Sequence, residues 1–162
     1  MTDWLNPDEM RAWRAYIVAS RRLYEAFERD LSCHGLSMAD YEAISYLSEA
    51  PERRARMSEL AKASLLSRSR LSHRMKVLEE AGIVRRESCP DDQRGAFAVL
   101  TEKGWQIIVA AAPNHLVSVR SRFIDLLSTD ELAALTSIFE RVGEKLEESI
   151  ETTASVASVK EA

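Results

Sequence analysis

Leu71, Met75 and Leu78 recur at spacings of four and three, between Ser67 and Gly82. Serine can cap a helix start, and glycine can take the left-handed conformation that closes a helix end. The segment therefore predicts a helix from Ser67 to about Ala81 with one narrow apolar stripe. Its neighbours restrict what this helix can belong to. Ser58 is the expected cap of a short helix before it, with Leu60, Ala61 and Ala63 facing inward, and Ser64-Leu65-Leu66-Ser67 reads as a turn with apolar anchors. After Gly82, Ile83-Val84-Arg85-Arg86-Glu87 reads as a strand, Cys89–Gly95 as a loop rich in turn residues, and Ala96–Leu100 as a returning strand. Short helix, turn, helix and hairpin in that order describe a helix-turn-helix followed by a β-hairpin wing.

The flanks read as helices. Pro7 suits a first helical turn, Asp8 and Glu9 suit its positive end, and apolar residues follow from Trp13 and Tyr16 to Phe27 and Leu31 on one face. That helix should stop near His34-Gly35. Ser37, with Asp40 three residues on, caps a second helix whose face is Tyr41, Ile44 and Leu47, and Pro51 ends it. Glu52–Arg56 is a polar connection ending in a very short strand. Thr101 caps a fifth helix that Pro113 should kink and that resumes through Leu116 to Leu127. Ser128-Thr129-Asp130-Glu131 is a capping box for a last helix through Leu132, Leu135, Ile138, Phe139, Val142 and Leu146. The fold class is mainly α, an α+β chain. Its lobes are a winged helix-turn-helix at residues 36–112, long terminal helices at 1–35 and 113–152, and a flexible tail at 153–162.

The formal net charge of −4 conceals a division. Residues 53–94 carry 11 Lys+Arg against 6 Asp+Glu, a balance of +5, and the remainder carries −9. From Ser67 to Lys76 there are four basic residues, Arg68, Arg70, Arg74 and Lys76, and no acidic one. At 100° per residue Ser69, Ser72, His73 and Lys76 lie opposite the apolar stripe, with Arg70 and Arg74 flanking. Short hydroxyls let a helix backbone lie deep in the major groove, and Ser67 at the helix start favours a phosphate. Arg70 is expected to reach a base edge and Arg74 to hold phosphate, so that losing Arg74 weakens all sequences alike. On the hairpin, Arg94 lies at the tip between Asp92 and Gly95, where an arginine can enter the minor groove. Arg68 and Arg86 complete the basic set.

The stretches Met57-Ser58-Glu59-Leu60-Ala61, Ser67–Arg74 and Leu78–Arg86 resemble the MarR family of bacterial transcription regulators, as does Asp92-Gln93-Arg94-Gly95 followed by Leu100-Thr101-Glu102-Lys103-Gly104. The resemblance runs from about residue 10 to residue 150. It implies an obligate homodimer held by the terminal helices, with each recognition helix on one half of a palindromic duplex. It also implies control by a small aromatic or other effector, for which Trp13, Arg14, Tyr16, Tyr41 and Tyr46 are the candidate lining, with His34 as a further anion partner. A repressor released by such a molecule is the expected role. A redox-responsive regulator is the alternative. Oxidant-sensing members carry their cysteine early in the first helix, whereas Cys33 ends that helix here and Cys89 sits beside the wing.

Other classes fit poorly. The sequence shows no nucleophile elbow, phosphate-binding glycine loop or HExxH pattern, so no enzyme is expected, and no cofactor or metal. Two cysteines make no disulfide scaffold, and the chain starts without a signal pattern, which fits the cytoplasm. The longest apolar run, Ile107–Pro113, is far short of the ~20 residues a membrane span needs. A winged helix that serves only protein contacts would usually lack the basic run on its second helix.

Overall fold

The computed structural model describes residues 3–160 apart from Leu65, Pro90 and Asp91, and excluding the side chains of Arg68, Cys89, Asp92, Gln93, Arg94 and residues 149–160. Among the described residues the chain forms α1 (Pro7–Ser32), α2 (Met38–Glu49), β1 (Arg54–Arg56), α3 (Met57–Ala63), α4 (Arg68–Glu80), β2 (Val84–Cys89), β3 (Asp92–Leu100), α5 (Glu102–Arg122) and α6 (Thr129–Lys160). Short 3-10 turns lie at Pro51–Arg53 and Ile124–Leu126. Two compact units result, Met1–Val119 and Arg120–Ala162. No described helix is long and apolar enough to cross a membrane.

Local chemistry sets most boundaries. Asn6 caps α1 by accepting from the Asp8 and Glu9 amides, both at 3.0 Å. Gly35, at φ 71°, closes the turn into α2, and Gly82, at φ 70°, closes α4. Ser37 and Asp40 form the expected box: Asp40 N–H donates to the Ser37 hydroxyl at 3.1 Å, and Ser37 N–H to the Asp40 carboxylate at 3.0 Å. Ser128 and Glu131 repeat that pattern ahead of α6 and hold the Glu131 carboxyl below its ordinary pKa.

Four expectations are corrected. Ser58 does not cap α3; the helix begins at Met57, and the Arg56 amide donates to Glu59 at 3.1 Å. Ala63 is exposed rather than inward. The wing loop does not reach Gly95, because β3 pairs from Asp92 onward, with a register irregularity beside Ser88 and Cys89. The fifth helix does not continue to Leu127: it passes through Pro113 as one element and ends at Arg122. The tail expected at 153–162 lies where α6 is assigned to Lys160, its side chains outside the described ones.

The first unit buries one core. Ile44 and Leu47 of α2, Leu60 of α3, Leu71, Met75 and Leu78 of α4, Val84 of β2, Leu100 of β3 and Ile108 of α5 all lie inside it. The three-stranded sheet is antiparallel in the order β1-β3-β2, so β3 is central, with Ala55 opposite Ala98 and Val84 opposite Leu100. The arginines of the β1 region spread over rings: Arg53 lies 3.9 Å above Trp105, and Arg54 lies 4.5 Å from Phe97. In the second unit, α6 leaves Ile138, Phe139, Val142 and Leu146 exposed at spacings of one to four residues.

Candidate nucleic-acid interface

The α4 stripe is divided as the sequence predicts. Leu71, Met75 and Leu78 are at most 2 % exposed, whereas Ser69, Arg70, Ser72, His73 and Lys76 are exposed. Burying three large side chains on one side fixes which side meets solvent. Ser67 caps the helix: its hydroxyl accepts from the Arg70 amide at 3.3 Å and lies 3.2 Å from the Ser69 hydroxyl. Lys76 has a loose contact with Glu80 at 3.9 Å, both widely exposed, which leaves the ammonium available to other anions.

Two predicted contacts have intramolecular partners. Arg74 donates through Nε to Asp40 at 2.8 Å and through Nη2 to the second carboxylate oxygen. This hydrogen bonding raises the Arg74 pKa further, so the charge is permanent. Arg86 donates to the Ser72 carbonyl at 3.2 Å and pairs with Glu79 at 3.4 Å, tying β2 to α4. The side chains of Arg68, Asp92 and Arg94 lie outside the described ones. Sequence reasoning treated Asp40 only as a cap. A buried carboxylate needs more donors than one serine supplies, and an arginine on a neighbouring helix is the usual answer.

The aromatic candidates make different ring contacts. Trp13 and Tyr16 of α1 stack loosely with centroids 6.0 Å apart, and both are about half exposed. Tyr41 instead packs on His115 of α5 at 4.5 Å, with Phe27 on the same imidazole at 5.3 Å. Tyr46 is exposed on α2, and Arg14 is exposed on α1. A cleft of about 440 Å³ lies elsewhere, against α4, lined by residues including Tyr24, Leu66, Arg70 and His73. None of the five candidates lines it. Tyr24 was missed because only the fold brings it to the same cleft as Arg70 and His73. Cys33 is exposed, its thiol donating to the Asp30 carbonyl at 3.0 Å, and Cys89 has no described side chain.

His115 carries a testable consequence. Its Nδ1 is buried and has no hydrogen-bond partner among the described residues. Burial lowers its pKa from the ordinary 6.5, with Asp30 opposing. The unfolded chain therefore binds the proton more readily, and the stability contributed by neutral His115 is present above about pH 6.5 and lost as pH falls through the lowered folded value. Thermal melts from pH 7.5 to 5.5 should fall more steeply for the wild type than for His115→Gln. Parallel profiles would remove His115 from the pH response.

Known proteins match this geometry. The MarR family profile matches residues 34–95. AbsC, a MarR family transcriptional regulator from Streptomyces coelicolor, is 45 % identical over 91 % of this chain and 99 % of its own, with a TM-score of 0.88. Sco3205, another MarR family transcriptional regulator from Streptomyces coelicolor, solved in complex with DNA, is 40 % identical over 90 % of this chain and 92 % of its own, also at 0.88. The regulator MhqR of Bacillus subtilis is 24 % identical over 82 % of this chain and 92 % of its own length. With a helix-turn-helix, a wing and this identity along nearly all of its length, the chain belongs to the MarR family of DNA-binding transcriptional regulators, a family of regulators and not of enzymes.

Proposed function

We propose that this regulator acts as a homodimer on a two-fold-symmetric operator, with α4 of each subunit in a major groove and each wing reaching an adjacent minor groove. The exposed face of Ser69, Arg70, Ser72, His73 and Lys76, without an acidic residue before Glu79, carries the reading. Small hydroxyls permit close approach, Arg70 supplies a fork for a guanine edge, and His73 and Lys76 supply donors. On the wing, Arg94 is the minor-groove candidate and Asp92 its brace, and Arg68 is a phosphate contact. Arg74 and Arg86 act from within the lobe. That a relative 40 % identical was solved with DNA supports the same use here.

Dimerisation is supported by large apolar residues that stand about half-exposed on a single chain, Trp13 on α1 and Ile138, Val142 and Leu146 on α6. Residues 1–35 and 113–152 are the dimerisation segments and 36–112 the reading lobe. Two half-sites about one helical turn apart double the contacts and make a short readout selective. The mode of action is repression in the cytoplasm, by occluding a promoter, released by a small aromatic anion. The cleft of about 440 Å³ beside Arg70 and His73 has the charge for such an effector and would set it against the DNA-facing side of α4.

Arg70→Ala tests this assignment. It is expected to weaken operator binding by about 1–3 kcal/mol and to relax base preference at one position per half-site. Sedimentation should show twice the chain mass, with one dimer bound per operator. Unchanged affinity would take the first turn of α4 out of the interface, and a monomer at micromolar concentration would remove the two-fold reading.

A further inference from the structure

We propose that Asp40 is a positioning residue for DNA recognition, acting through Arg74 to set the angle at which α4 presents its outer face. The proposal rests on α4 being the DNA reader.

Asp40 is 3 % exposed, and its carboxylate meets four donors: the Ser37 amide at 3.0 Å, the Ser37 hydroxyl at 2.6 Å, Arg74 Nε at 2.8 Å and Arg74 Nη2. The first two belong to the cap of α2, so the carboxylate is fixed at that helix's positive end before Arg74 is considered. The last two come from a planar fork, which constrains direction as well as distance. Arg74 stands mid-way along α4, one turn after Arg70 and next to His73. The adjoining face of α4 is held by Leu71, Met75 and Leu78. Apolar burial is strong and non-directional, and it tolerates a small rotation of the helix about its axis. A rotation that the core would accept still moves Arg70 and His73 across a base edge. The fork to Asp40 is the directional restraint against it, with Arg86 on the Ser72 carbonyl as a second tie from β2.

A buried ion pair is a poor source of net stability and a good source of geometry. A phosphate clamp, the role expected from sequence, predicts the opposite behaviour at Asp40, because losing that carboxylate would free Arg74 for DNA.

The full-length protein and its Asp40→Asn, Arg74→Gln, Arg70→Ala and Asp40→Asn/Arg74→Gln variants would be titrated with the selected operator and with a scrambled duplex across a salt series, each with a thermal melt. Asp40→Asn and Arg74→Gln are each expected to lose about tenfold or more on the operator, the scale of one lost base contact. They should bind the scrambled duplex as the wild type does and keep its salt slope, and the double variant should be no worse than either single one. The proposal fails if Asp40→Asn binds the operator like wild type. It also fails if Arg74→Gln weakens both duplexes equally with a salt slope smaller by about 0.9 per contact, or if only the melting temperature changes. Should Asp40→Asn not fold, Arg74→Gln decides alone, since it leaves the Ser37–Asp40 cap in place. Arg70→Ala separates the two levels. If it binds like wild type the reading of α4 is wrong and this proposal with it. If it weakens binding while Asp40→Asn and Arg74→Gln do not, only the positioning role is lost.

Discussion

Leu71→Ala is expected to lower folding stability by about 2–5 kcal/mol, read by denaturant unfolding at fixed protein concentration. Leu71 is 1 % exposed and lies in the first unit's core with Met75 and Leu78. Truncation removes its transfer free energy and leaves a cavity between α4 and the helices behind it, which collapses only in part. Against a domain stability of about 5–15 kcal/mol the loss is large. It should also weaken DNA binding at temperatures where the wild type is still saturated, because the same residue seats the reading helix. A loss below about 1 kcal/mol would mean that α4 does not pack on this core through Leu71.

Gly104→Ala should destabilise by about 1–3 kcal/mol or more, despite replacing glycine in a helix, where alanine alone would gain about 1 kcal/mol. A Cβ at Gly104 would stand 2.3 Å from the Ile83 carbonyl oxygen and 2.6 Å from Leu100 Cδ1. The Ile83 carbonyl cannot retreat freely, for it accepts from the Thr101 amide and from the Thr101 hydroxyl, both at 3.0 Å. This is the physical content of the Leu100-Thr101-x-x-Gly104 pattern: threonine caps α5 by accepting from Gly104 N–H at 3.1 Å, and glycine lets that first turn press against the end of α4. Gly143 in α6 has nothing within 4 Å of its would-be Cβ. Gly143→Ala is the matched control, neutral or stabilising. Equal effects at the two sites would show that propensity, not contact, governs position 104.

Where the controlling interactions span a few residues, the sequence was readable. Ser37, Ser67 and Ser128 cap the helices they were expected to cap, and Gly82 ends α4, because each boundary is settled by hydrogen bonds over two to four residues. The inner and outer faces of α4 followed from period alone. What sequence missed depends on pairs far apart in the chain. Arg74 and Asp40 are 34 residues apart and Arg86 and Ser72 are 14 apart, and no local pattern says which arginines the fold will occupy. The same holds for Tyr41, whose ring packs on His115, 74 positions on. At Ser58 a plausible local cap lost to a neighbouring one, since Glu59 reaches the Arg56 amide and starts the helix two residues early.

The claim that this chain reads DNA as a symmetric dimer is tested most directly by selecting random duplexes on the purified protein and rebinding the winners across a salt series. The account predicts enrichment of an inverted repeat whose half-sites lie about one helical turn apart, with log affinity falling linearly and steeply against log salt. Enrichment of a single unrepeated site, or binding without sequence preference at any salt concentration, would contradict it.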